Sequence, residues 1–223
     1  MSVARRIGPA SAVCFDRVSK SYRRGRRAIA ALESLTLRLE RGSTAALVGP
    51  NGSGKTTALM IAGMLVTPTS GTCSVLGRDV RCNHRQVLRD IGVSFGSERS
   101  FYLRLSARQN LEFFAGVAGM RRADAREAIG RVAAELDIER FLPKPARQLS
   151  RGALARLAVG RACLGEPALL ILDEPFASVD DLGKELLWQA LKRRVEAGRS
   201  VLLATHDLSV AERCDLVVQL AGG

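Results

Sequence analysis

Apolar and polar residues alternate with a period of two over residues 13–18 and 35–39, the pattern of antiparallel strands with one buried face. Residues 71–76 repeat it and run into a turn at Gly77. Mostly apolar runs at 43–48, 91–95, 168–172, 201–204 and 216–220 predict further strands. Helical spacing covers 83–90, 108–120, 124–136, 183–196 and 208–213, and other helices open at 57–62 and at 151. Pro143 and Pro145 mark a loop. Strands alternating with helices predict an α/β protein whose parallel sheet is covered on both faces. The period-two strands add an antiparallel β subdomain. Between about 96 and 149 only helices are expected, so this stretch reads as a helical insertion. The core is then about 12–95 and 150–220, within one domain spanning 1–223.

A chain of 223 residues with 47% hydrophobic content can bury a full core. No apolar stretch approaches the roughly 18 residues of a membrane-spanning helix, and no apolar segment follows the basic N-terminal residues as in a secretory signal. Cys14, Cys73, Cys82, Cys163 and Cys214 form no C-x-x-C pair, which suits reduced thiols. Net charge is +12, with ten basic residues against three acids in the first 41. Such an excess suits a membrane face, nucleic acid or nucleotide phosphates. Arg outnumbers Lys 29 to 5 along the whole chain, and no aromatic residues interleave with the basic ones as a base-stacking surface requires.

Candidate chemistry begins at 49–57, where Gly49, Pro50, Asn51, Gly52, Ser53, Gly54, Lys55, Thr56 and Thr57 contain the phosphate-loop pattern G-x-x-x-x-G-K-[ST]. Its glycines let the backbone curl so that several N–H groups meet one anion. Lys55 brings positive charge to the terminal phosphates, and the Thr56 hydroxyl suits Mg²⁺. A strand precedes the loop and a helix follows it, as an anion site at a helix N-terminus requires. The apolar run 169–172 ends in Asp173 and Glu174. At the C-terminal end of a buried strand, Asp173 is placed for Mg²⁺, directly or through water, and Glu174 to orient and deprotonate an attacking water. His206 ends the next strand and is expected near the γ-phosphate.

Together these residues resemble the ATP-binding cassette family, in particular the nucleotide-binding subunit of a membrane transporter. The resemblance spans about 12–220. It implies a P-loop nucleoside-triphosphatase core of RecA-like type, with ATP and Mg²⁺ as ligands. Leu-Ser-Arg-Gly-Ala at 149–153 stands where the family signature, usually Leu-Ser-Gly-Gly-Gln, is found. Ser150 and Gly152 fit it, and in the family this motif serves the ATP of a partner subunit, so two subunits bind head to tail. The resemblance also implies that Tyr22 stacks on adenine and that Asp180 helps join the two subunits. Asp181 reads as a cap of the following helix. The sequence departs from the family at Gly96, which stands where a glutamine is usual; Ser97 or Glu98 substitutes for it, or the contact is absent. Arg151 and Ala153 are further departures. Arg151 either adds charge toward the partner's nucleotide or points outward, and Ala153 removes a polar contact to the sugar.

The resemblance implies an ATPase that sits peripherally on the cytoplasmic face of the membrane. Its partners are a permease on a separate chain and a second nucleotide-binding subunit, identical or not. Phe101 and Tyr102 are either apolar anchors for a permease helix or core residues. The wording of this stretch is closer to exporters than to importers. The alternative is a family member acting on nucleic acid or ribosomes, which usually carries two cassettes or a long coiled-coil insertion. A small-molecule kinase leaves 149–152 unexplained.

Overall fold

A computed structural model describes residues 11–25, 27–82, 85–96 and 100–221. The chain opens with two long antiparallel strands, β1 (Ser11–Arg24) and β2 (Arg27–Glu40). β1 also pairs with β4 (Ser70–Val75), which pairs with the short β5 (Arg78–Asp79), giving the sheet order β2-β1-β4-β5. Both opening strands run well past 13–18 and 35–39, where the alternation is clean. The cause is a series of register shifts between Phe15 and Ser21, with Arg17 at φ 48° and Ser34 at φ 46°. Each irregularity slips the inward face by a residue, so a strict period of two fades while pairing continues out to Tyr22↔Ile29.

The second sheet is parallel throughout, in the order β6-β7-β8-β3-β9. Its members are β3 (Thr44–Val48), β6 (Ile91–Phe95), β7 (Leu169–Asp173), β8 (Ser200–Thr205) and β9 (Leu216–Gln219). The three inner strands are buried on both faces. Ala45, Leu47, Leu169, Ile171, Leu202 and Ala204 face the core shared with the antiparallel sheet and α1 (Lys55–Ala62). Ala46, Val48, Leu170, Leu172, Val201 and Leu203 face the core built by the later helices. That double coverage explains why these strands read as apolar runs rather than alternations.

α2 (Arg85–Arg89) lies inside the expected 83–90; residues 83 and 84 fall outside the described set. In the stretch 96–149, α3 (Ala107–Val117) and α4 (Arg122–Glu135) are followed by short 3₁₀ turns at Glu139–Phe141 and Ala146–Gln148. α3 starts in a capping box between Ser106 and Gln109 and stops short of 120 because Gly119 turns left-handed at φ 80°. α5 (Arg151–Cys163), α6 (Asp181–Glu196) and α7 (Leu208–Ala211) complete the chain. α6 and α4 are clamped by the buried Arg194, whose guanidinium lies 2.6 Å from Glu135 and 3.1 Å from Glu166.

Asn110, fully buried on α3, fixes the loop before it. Its side-chain oxygen accepts from Tyr102 N at 2.8 Å, and its amide donates to the carbonyls of Tyr102, Leu105 and Ser106. Asn110→Ala strands these groups and is expected to cost about 2–4 kcal/mol, read as a lower denaturant midpoint. Amide exchange should accelerate first in the segment 102–106.

Candidate functional site

The C-terminal ends of β3, β7 and β8 meet in one crevice. This is where an α/β sheet buried on both faces can present polar groups. After β3 the chain curls through Gly49, Gly52 and Gly54, at φ 153°, 85° and 94°. Two of these glycines are also required by space. A Cβ at Gly49 would stand 2.5 Å from the Leu220 carbonyl, and one at Gly54 would run into the carbonyl of Ala31. The curl carries the chain directly into α1, whose first residue is Lys55. The Lys55 ammonium is buried and donates to Gly49 O at 2.6 Å and Pro50 O at 3.0 Å. Positive charge and helix N–H groups are thereby aimed at the same space.

Thr56, one residue on, donates its hydroxyl to Asp173 Oδ2 at 2.8 Å, closing the ends of β3 and β7 across β8. Burial pushes the Asp173 carboxyl above its ordinary range, with the neighbouring Glu174 adding to this; the Thr56 hydrogen bond and Lys55 oppose it. Thr56 and Asp173 offer two hard oxygen donors side by side. Among the described residues no cluster of three or more His, Cys, Asp or Glu could hold a metal. Two such oxygens beside the phosphate loop fit Mg²⁺, which uses one or two protein oxygens and fills its octahedron with water and phosphate.

Glu174 leaves β7 with φ 50°, a left-handed conformation that costs roughly 1–3 kcal/mol for a residue with a side chain. Its N–H donates to Ala204 O at 3.0 Å and its carbonyl accepts from Ala177 N at 3.1 Å, which holds the turn. The carboxylate then meets His206, with Nδ1 2.9 Å from Oε2. The register Asp173↔Ala204 brings them together. A cavity of about 400 Å³ is lined by Asn51, Gly52, Gly54, Lys55, Thr56, Thr57, Asp173 and Glu174, and on its far wall by Ile29, Ala30 and Ala31 of β2. Those three residues carry no motif in the sequence. Tyr22 is exposed and sits opposite Ile29 in register, on the same face of the β1–β2 pair. Ser53 is buried, and its Oγ has no hydrogen-bond partner among the described residues.

Ser150 and Gly152 are not among the residues lining that cavity. Ser150 caps α5, its Oγ accepting from Ala153 N at 3.2 Å. Gly152 sits so close to the Ser178 carbonyl that a Cβ would come within 2.7 Å. The helix cap at α6 is Asp180, whose Oδ1 accepts from Gly183 N at 2.8 Å. This corrects the sequence reading: Asp181, expected as the cap, is the first helical residue. Gly96 is exposed at φ 67°, while Ser97 and Glu98 lie outside the described residues. Phe101 and Tyr102 part company. Phe101 packs in the core between Phe114 and Arg161, whereas Tyr102 is 52% exposed and meets the exposed Phe113 edge to face; Leu103 and Val117 are also exposed in this segment.

Residues 32–177 match the family model described as ABC transporter. The chain is 35% identical over 189 residues to the probable multidrug ABC transporter ATP-binding protein YbhF of Escherichia coli K12, a match covering 84% of this chain and 32% of that protein. It thus spans about a third of that relative's length. It is 25% identical over 206 residues to the ABC transporter ATP-binding protein NatA of Bacillus subtilis 168, covering 92% of this chain and 84% of NatA. Among solved structures, the ATP-binding cassette MJ0796, a dimer in a post-hydrolysis state bound to ADP and Pi, superposes with a TM-score of 0.85. That match has 29% identity and covers 93% of this chain and 94% of that one.

Beside the crevice, Lys184 and Ser209 hold the Asp207 carboxyl down at about 2, below its ordinary 3.8. A carboxyl lowered on folding stabilises the protein above its unfolded value and loses that contribution as pH falls toward the folded one. Asp207→Asn should therefore flatten the acid-unfolding curve between about pH 4 and pH 2, measured by circular dichroism.

Proposed function

The chain belongs to the ABC transporter family, and from that premise we propose that it binds and hydrolyses ATP as the nucleotide-binding subunit of a transporter. The observation that carries the proposal is the meeting of Lys55, Thr56, Asp173, Glu174 and His206 at the ends of three adjacent strands. The loop from Gly49 to Thr57 cradles the β- and γ-phosphates, with Lys55 as counter-charge. Tyr22 stacks on the adenine at the mouth of the cavity. When bound, Mg²⁺ on Thr56 and Asp173 neutralises charge on the phosphates.

Phosphoryl transfer needs positioning and charge compensation more than covalent help from the protein. Glu174 Oε2 is held by His206, which leaves Oε1 to take a proton from a water attacking the γ-phosphorus. As the new P–O bond forms, the bond to the β-phosphate oxygen breaks. The electron pair leaves on ADP, where Lys55 and the loop N–H groups stabilise it. The strained turn at Glu174 fixes the carboxylate's direction before substrate arrives.

As the family resemblance implies, Ser150 and Gly152 at the start of α5, which are not among the residues lining this cavity, serve the nucleotide of a second subunit. Two subunits then close head to tail, with Asp180 at their junction. The segment 96–149 acts as a helical subdomain, and its exposed Tyr102, Leu103, Phe113 and Val117 receive a helix of a membrane permease on a separate chain. Among the described residues no helix is long and apolar enough to cross a membrane, which supports peripheral attachment, here assigned to the cytoplasmic face where ATP is available. YbhF is described as a multidrug transporter protein, which favours export.

Glu174→Gln should keep ATP binding and ATP-dependent dimerisation while turnover falls by about 100-fold or more. Unchanged turnover would remove Glu174 from the mechanism. Lys55→Ala should weaken ATP binding by at least about tenfold in titration calorimetry, through loss of a buried counter-charge.

A further inference from the structure

His206 and Glu174 touch, and among the described residues no other side chain is seen hydrogen-bonded to the His206 ring. Its ring is 69% exposed, and its carboxylate contact is made from a loop between β8 and the four-residue α7. The direction of the ring therefore depends on the backbone around it. On one side, Asp207 N donates to Thr205 Oγ1 at 3.0 Å. On the other, Asp207 Oδ1 accepts from Ser209 N at 3.1 Å and Ser209 Oγ at 2.6 Å. The second carboxylate oxygen is taken by Lys184 Nζ at 2.8 Å. Lys184 stands in the first turn of α6, where its own N–H donates to Asp180 O at 2.8 Å. This ion pair plays no part in the mechanism described above. It links the His206 loop to the start of the helix that Asp180 caps, while Arg213, just beyond α7, pairs with Glu185 of the same helix at 2.8 Å.

An ordinary pair at the surface contributes little stability. This one is three-quarters buried on the Asp207 side, and one of its members also caps α7. We propose that Lys184 and Asp207 form a positioning strut: it holds the His206 ring against Glu174 and ties that contact to α6, whose capped end lies at the junction with a second subunit. Lys184 does not touch substrate. It acts by setting where His206 points, so closure at Asp180 and alignment of the water-activating carboxylate move together. The inference rests on the hydrolysis reading for its consequence, but its geometry is measurable without turnover.

The chain has two histidines, His84 and His206, so a His84→Gln background leaves a single imidazole signal in nitrogen NMR. With Oε2 accepting from Nδ1–H, the His206 proton resides on Nδ1; releasing the ring should shift it toward the Nε2–H tautomer. In this background, Lys184→Met should show that shift in a chain that stays folded, its melting temperature lowered by no more than a few degrees, and Lys184→Arg should keep the native signal. Steady-state hydrolysis should show kcat of Lys184→Met lowered about 10- to 100-fold, with ATP affinity within about twofold and most of the rate restored in Lys184→Arg. An unchanged His206 signal in Lys184→Met overturns the strut, whatever the rate. A shifted signal with native kcat overturns its role in hydrolysis. If the unsubstituted chain fails to hydrolyse ATP, the hydrolysis reading falls while the nitrogen signal still decides whether the strut exists.

Discussion

The hydrogen bond from Thr56 to Asp173 is the contact on which the site depends. It joins the residue after the phosphate-loop lysine to the last residue of a buried strand, 117 positions apart in the chain. It forms because β8 lies between β3 and β7 and all three point the same way, so their polar ends emerge together. Elsewhere these strands are sealed by apolar side chains on both faces. A carboxylate in the middle of such a strand would be left without water or partner, at a cost of several kcal/mol. At its end, Asp173 keeps a partner and an opening. The same logic seats Glu174 and His206 one step further out, where both reach solvent.

The parallel core and the phosphate loop were legible because their signals are local and redundant. Gly49 and Gly54 are fixed by backbone conformation and by the space left to them, and a sequence pattern records both. The antiparallel pair was only half legible. Irregular register near Arg17 breaks the alternation, so the outer half of β1 and β2 carries no clean period, and the wall supplied by Ile29, Ala30 and Ala31 was invisible. Asp180 and Asp181 illustrate another limit: either aspartate can cap, and only the backbone angles decide that Asp180 does. Phe101 and Tyr102 are neighbours of similar character, yet loop geometry fixed by the buried Asn110 sends one inward and one outward. Nothing in composition distinguishes them.

The proposed engine is incomplete within one copy. In that proposal the cavity supplies the cradle, the metal donors and the water activator, while Ser150 and Gly152 at the start of α5 are not among its lining. Close packing of Gly152 on Ser178 joins that start to the segment leading into Asp180, so the proposed signature and junction residues are held together. A second copy presenting this surface would close the cavity and exclude water. Electrostatic contacts to the triphosphate are strongest in such a site.

The most direct measurement is a structure of the Glu174→Gln chain with ATP and Mg²⁺. The expected result is a dimer in which Ser150 Oγ of each copy lies within hydrogen-bond reach of the γ-phosphate held by Lys55 of the other. A nucleotide seated in the loop with Ser150 of every copy remote from it would contradict the account.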